Sequence, residues 1–174
     1  AEDSTFIQSR KIAYGDGYFV VMSTNGDAWW QSTDGINWQE YEAPGVVLGG
    51  GITVRGIAYG QGHFIVITSD FDSTANRIWY KSPSSTTWNE NFTTTNISSV
   101  DDLIFGNNRF VAVQPGSSNV FYNVRNGKDT WVEVTGALPS PGNWKIGYGQ
   151  GVFIAVRQNS TEVCTSEDAI TWTA

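Results

Sequence analysis

The chain has 174 residues, low charged content and ordinary hydrophobic content, which suits one folded domain with a real core and argues against disorder. Its net charge of −7, with ten Lys and Arg scattered almost singly, argues against an electrostatic nucleic-acid footprint and against anionic membranes. One Cys (Cys164) and one His (His63) exclude an intrachain disulfide, a structural zinc site and a His-based triad.

Residues Ala1 to Arg10 form a polar lead-in with one apolar pair, Phe6-Ile7. Ile12-Ala13-Tyr14 then reads as a short extended run, and Gly15-Asp16-Gly17 supplies the positive φ values of a tight hairpin. Tyr18 to Met22 is apolar on both faces, as a doubly covered strand would be. Asn25-Gly26 is a second turn signal, Ala28 to Ser32 a third strand, and Asp34-Gly35 a third turn. Trp38 to Glu42 alternates like an outer strand, and Pro44-Gly45 ends the unit.

This unit recurs. The aromatic-Gly pairs Tyr14-Gly15, Tyr59-Gly60, Phe105-Gly106 and Tyr148-Gly149 step by 45, 46 and 43 residues. The repeats run over about 11–54, 55–100, 101–143 and 144–174. The second carries an insertion, Ser69 to Asn76, and the third ends its first hairpin with Asn107-Asn108. No stretch has a helical period. Four short antiparallel strands in roughly 45 residues is the size of a propeller blade. The expected fold is therefore all-β: a small β-propeller of four four-stranded blades in a single domain, 1–174. The fourth repeat stops at Trp172-Thr173-Ala174, before its outer strand. A strand at Ser4 to Ser9 is expected to supply it and close the ring. The rival is a partial ring completed by a second copy or by other residues.

The segment Ser32-Thr33-Asp34-Gly35-Ile36-Asn37-Trp38 resembles the Asp-box of sialidase-like (BNR) propellers, in a form one residue shorter. Paired with the aromatic-Gly hairpin, it resembles repeats of bacterial and bacteriophage surface proteins. The resemblance implies that the box sits at a peripheral hairpin, as a turn clamp and not an active site. Ser32, Asp34, Gly35 and Trp38 form it in the first repeat, with Trp88, Trp131, Asp168 and Trp172 as counterparts. Pro83 to Thr86 has no Asp, and Ala169 replaces Gly, so these turns need repair by other bonds.

A sialidase needs three converging Arg, and the six here do not occupy equivalent repeat positions. Paired carboxylates suited to glycoside hydrolysis could come from Asp70/Asp72, Asp101/Asp102 or Glu40/Glu42, all read as solvated surface. Asp70 and Asp72 could also ligate calcium with Ser69 and Ser73, but no metal and no cofactor is expected. Aromatic rings that stack on sugars are the sharper candidates: Trp30, Trp79, Tyr80, and Trp144 in a Pro/Gly connection. His63 is expected at an exposed hairpin tip. The function expected is non-catalytic binding or scaffolding at an extracellular or virion surface. The partner would be a glycan or a protein, in a possible homo-oligomer, without nucleic acid or membrane insertion. A glycoside hydrolase-like enzyme and a purely structural assembly protein are the alternatives.

Overall fold

The computed structural model describes residues 9–23, 25–42, 52–70, 76–91, 97, 100–127 and 131–174. Among them every regular element is a strand, and the strands form four antiparallel sheets. The first sheet is β1 (Ser9–Gly15), β2 (Tyr18–Ser23), β3 (Ala28–Ser32) and β4 (Gln39–Glu42), paired in that order. The second is β5 (Ile52–Gly60), β6 (His63–Asp70), β7 (Asn76–Lys81) and β8 (Asn89–Asn91). The third is β9 (Asp102–Gly106), β10 (Arg109–Val113), β11 (Val120–Asn123) and β12 (Val132–Val134). The fourth has three strands, β13 (Trp144–Gly149), β14 (Val152–Arg157) and β15 (Val163–Ser166).

The first hairpin of each sheet turns on two residues with positive φ. They are Asp16 and Gly17 (48° and 79°), Gln61 and Gly62 (50° and 77°), Asn107 and Asn108 (43° and 57°), and Gln150 and Gly151 (51° and 84°). Two left-handed residues in a two-residue loop match the right-handed twist of the strands they join. This fixes the register from Gly15↔Tyr18 to Gly149↔Val152.

One sequence expectation changes. The insertion in the second repeat lengthens strands as well as a loop, since Ser69 pairs with Asn76 across β6 and β7. The fourth sheet has three strands and, among the described residues, no outer strand; one bridge follows β15. Thr165 N donates to Thr173 O at 2.8 Å and Thr173 N donates back to Thr165 O at 2.9 Å. This isolated bridge is at the place that Gln31↔Gln39 holds in the first sheet. Of the proposed closing strand, residues 4–8 lie outside the described residues. Ser9 belongs to β1, opposite Ser23.

The sheets stack face to face in chain order. One apolar cluster lies between the first and second sheets (Val20, Met22, Trp29, Val54, Phe64, Val66, Trp79). A second lies between the second and third (Ile65, Ile67, Phe110, Ala112, Phe121). The third joins the last two (Val111, Val113, Trp144, Phe153, Ala155, Cys164). Strands β6 and β10 are covered on both sides, which is why Phe64 to Ile67 and Phe110 to Val113 read as unbroken apolar runs.

At the inner hairpins each interface repeats one fit. The Tyr59 ring lies where a side chain on Gly15 would stand, 1.9 Å from an ideal Cβ. Phe105 does the same at Gly60 (2.1 Å) and Tyr148 at Gly106 (2.3 Å). Glycine is required here by space alone. The series then stops. Among the described residues nothing lies within 4 Å of a Cβ at Gly149, and Tyr14, the aromatic at the other end, is 59% exposed. The described sheets thus form an arc with two unlike ends.

Candidate functional site

The turns between the third and fourth strands carry much of the polar chemistry, and they are held in three ways. In the first sheet the Asp34 carboxylate accepts from Ile36 N (2.8 Å), Asn37 N (2.7 Å) and Asn37 Nδ2 (2.7 Å), and from the Ser32 hydroxyl (2.9 Å). Ser32 Oγ in turn accepts from Gly35 N at 2.9 Å, and Gly35 has φ 73°. Trp38 Nε1 closes the loop on Gly35 O at 3.2 Å. Donors on this carboxylate, the Asn37 backbone N–H first, hold its proton affinity well below the usual carboxylate range.

The fourth sheet repeats this with Asp168, which accepts from Ile170 N (2.8 Å) and Thr171 N (2.7 Å). Those bonds, Thr171 first, hold its affinity below the usual range as well. Ala169 takes the left-handed place of Gly35, with φ 58° and its methyl fully buried. In the third sheet Asn123 Oδ1 accepts from Arg125 N (2.9 Å) and Gly127 N (3.2 Å), while Trp131 Nε1 donates to Gly127 O at 3.3 Å.

The second sheet has the largest departure. Lys81 stands where Ser32 stands in the first sheet, opposite Phe64 as Ser32 is opposite Phe19, and it has no exposed surface. Its Nζ donates to the carbonyls of Ser82 (3.2 Å), Pro83 (2.9 Å) and Ser85 (2.9 Å) and to Oε1 of Gln31 (2.7 Å) in the neighbouring sheet. It also lies 4.9 Å from the Trp29 ring centroid and 5.2 Å from that of Phe64. A cation surrounded by carbonyls thus replaces an anion surrounded by N–H groups. Burial pushes the Lys81 amine down to about 8.

Two shallow clefts border these turns. One, of about 330 Å³, is lined by Gln31, Ser32, Thr33, Asn37, Trp38, Gln39 and Tyr41. The other, of about 480 Å³, is lined by Val152, Thr165, Ser166, Glu167, Asp168, Thr171 and Thr173, the equivalent positions of the fourth sheet. The first combines two partly exposed rings, Trp38 and Tyr41, with three amide side chains. Tyr41 is braced by stacking on Trp29 at 4.5 Å and 19°. Neither cleft contains two carboxylates free of the turn network, because Asp168 is committed to its own loop.

The aromatic residues singled out from the sequence are mostly elsewhere. Trp144 is in strand β13 and not in a loop, and it is fully buried, with Nε1 donating to Ser140 O at 3.2 Å. Its ring fills the core between the third and fourth sheets and leaves no face for a ligand. Trp30 and Trp79 are buried too, 4% and 6% exposed. Neighbouring residues of a strand face opposite ways, and here both faces are covered. Tyr80 is half-buried against the second core and edge-on to His63. His63 is itself half-buried, not at an exposed tip. Asp70 ends β6, opposite Ile52, and Asp72 lies outside the described residues.

Of the other carboxylate pairs, Asp101 is tied to Lys145 Nζ at 2.8 Å. Asp102 accepts from Ile146 N at 3.2 Å and pairs with Lys11 at 3.6 Å. Glu40 and Glu42 stand exposed on β4. The cleft beside Trp38 was missed because Trp38 and Tyr41 read as turn and outer-strand residues. The signal available was the run of amides around them, Gln31, Asn37 and Gln39.

No family model matches the chain, and no curated protein matches it. Solved structures do share its fold. A structure of YCF48 bound to D1 peptide superposes with TM-score 0.62 at 16% identity, over 95% of this chain and 53% of that one. A chain of a nidogen/laminin complex gives 0.66 at 12% identity, over 90% and 58%. Zg3597, a family 117 glycoside hydrolase produced by the marine bacterium Zobellia galactanivorans, gives 0.63 at 11% identity, over 95% and 67%. The chain spans a little over half the length of the first two. At these identities the likeness is one of fold, and the fold it supports is that of β-propeller proteins.

Proposed function

We propose that this chain is a non-catalytic binding module displayed at an exterior surface, with a saccharide as the ligand of the cleft beside Trp38. The observation that carries this reading is the lining of that cleft. The two rings, Trp38 and Tyr41, offer apolar surface to C–H groups, while the Gln31, Asn37 and Gln39 amides, each held through one atom by Lys81, Asp34 or Glu40 O, line the polar side for hydroxyls. A volume near 330 Å³ suits a short saccharide unit at an open surface. A non-catalytic role is supported by the commitment of Asp34, Asp101, Asp102 and Asp168 to backbone or ion-pair partners. The surface location rests on the resemblance of the repeats to those of bacterial and bacteriophage exterior proteins.

The test is a glycan array probed with the wild-type chain, Trp38→Ala and Gln39→Ala. Wild type binds a defined set of saccharides, and each variant loses at least ~10-fold in affinity, the effect of one lost stacking or charge-free polar contact of ~1.4 kcal/mol. Absence of binding by wild type, or equal binding by all three proteins, overturns the reading. A protein partner is the second reading, favoured by the shared fold with the YCF48–D1 peptide and nidogen/laminin structures. Capture of a defined peptide with no saccharide binding would establish it instead.

A further inference from the structure

We infer that the two ends of the arc are halves of one interface, and that a second copy of this chain fills them, head to tail, to give a closed ring of two chains. The evidence is the rule that the chain obeys three times. In each internal interface the aromatic of one sheet enters the glycine socket of the sheet before it: Tyr59 at Gly15, Phe105 at Gly60, Tyr148 at Gly106. By the same register, Gly149 is a socket and Tyr14 is a knob, yet no described residue fills the socket and the knob is exposed.

A second contact obeys the same rule. Gln61, in the inner hairpin of the second sheet, donates from Nε2 to Val124 O of the third at 3.2 Å. Asn107, at the same place in the third sheet, donates from Nδ2 to Glu167 O of the fourth at 2.8 Å. Val124 and Glu167 each follow the residue that closes the third strand, Asn123 and Ser166. Gln150 is the equivalent donor of the fourth sheet, and Thr33, which follows Ser32, bears the equivalent carbonyl of the first.

The faces agree with this. On the outer side of the fourth sheet Ile154, Val156 and Val163 are 45%, 42% and 49% exposed. The register puts them on one face with Gly147, Gly149 and Val152. They occupy the places of Val20, Met22 and Trp29, which are buried in the first interface. The cleft at Thr165 and Thr173 opens on the same side. On the first sheet Ile12 and Tyr14 are each 59% exposed, while Val21 and Trp30 beside them are already buried. The open part is therefore the inner half of that sheet.

A knob and its socket on opposite ends make a heterologous contact, which must close into a ring or propagate. Closure on itself would need a quarter turn between successive sheets, and the described sheets do not close. The arc instead lies along 95% of its own length on about half of a longer propeller chain (53%, TM-score 0.62), so two arcs complete such a ring.

The test is the solution mass of the full chain by sedimentation equilibrium. Wild type is expected at twice the 19.1 kDa of one chain. Gly149→Leu fills the socket, Tyr14→Ala removes the knob, and Ile154→Lys charges the exposed face. Each is expected to sediment as a monomer with an unchanged far-UV spectrum. Mixing Gly149→Leu with Tyr14→Ala restores one intact interface and part of the doubled mass, which only a head-to-tail contact does. A wild-type monomer at every concentration overturns the inference, whether its ends stay open or close on each other through a strand at 4–9. A dimer whose mass none of the substitutions changes also overturns it. Ile154 is 45% exposed and a lysine there can reach solvent in the single chain, so this variant decides the matter if either of the others fails to fold.

Discussion

Lys81 Nζ lies 2.7 Å from Oε1 of Gln31, across the boundary between the first two sheets. The same ammonium holds the Ser82, Pro83 and Ser85 carbonyls of its own turn. One side chain thus repairs a turn that has no aspartate and ties two sheets together. Lys81→Met keeps most of the volume but leaves four acceptors without their donor. The expected loss is ~2–4 kcal/mol of unfolding free energy in urea, with m unchanged. A loss below ~0.5 kcal/mol would show that water replaces the ammonium without cost.

Lys81 also imposes a pH dependence. Burial lowers its folded-state value to about 8 from the ordinary 10.5. Between those values the unfolded chain keeps a proton that the folded chain has shed, so stability rises with pH across this window. Below about 8 the cost of burying the charge is present in full. Thermal melts from pH 7 to 10 should show this rise for wild type and not for Lys81→Met.

Asp34 and Asp168 act at the other end of the scale. Both are held below the ordinary carboxylate value of 3.8 in the folded chain. Their stabilising contribution is complete above that value and disappears as pH falls through the lower folded-state values. Asp34→Asn and Asp168→Asn should each flatten the acid limb of the stability curve while changing the alkaline limb little. An unchanged acid limb would assign acid unfolding to other carboxylates.

The glycine sockets give a paired comparison. Gly60→Ala drives a methyl into Phe105, with an ideal Cβ 2.1 Å from that ring, and overpacking of this kind costs ~1–3 kcal/mol. Gly149→Ala meets nothing within 4 Å among the described residues and should leave the melting temperature of the isolated chain nearly unchanged. Equal destabilisation by both would mean that the fourth socket is filled.

Trp144→Ala tests the corrected placement. As a fully buried ring between two sheets it should cost ~3–5 kcal/mol on truncation, the range for large core aromatics. An exposed binding residue would cost almost none and would lower affinity alone.

Much of the fold is legible in the sequence because it is repetitive. The aromatic-Gly spacing counts the sheets, and Asp16-Gly17, Gln61-Gly62 and Asn107-Asn108 mark their inner hairpins through the φ values that those turns demand. Three features are not legible, each for a physical reason. The Lys81 clamp is hidden because the repair sits in the strand and not in the Pro83–Thr86 turn that lacks the Asp. Trp144 is disguised by its Pro/Gly neighbours, although its pairing with Arg157 makes it a strand residue. The open ends are silent because Tyr14 and Tyr59 both follow Ile-Ala and precede Gly, and only the neighbouring sheet decides which is buried. At the candidate site, the turn roles of Ser32, Asp34, Gly35 and Trp38 follow from their spacing. The cleft beside them does not, since it also needs Tyr41 of β4, which is held by stacking on Trp29.

The four turns do one mechanical task with three kinds of chemistry: a carboxylate collecting N–H groups in the first and fourth sheets, an amide in the third, an ammonium collecting carbonyls in the second. Acid reaches the first kind, alkali the last, and the amide responds to neither. Acid therefore loosens the first and fourth turns, whereas alkali relieves the buried charge of the second. Dividing the same joint among unlike bonds confines the loss in acid to the first and fourth sheets of the arc.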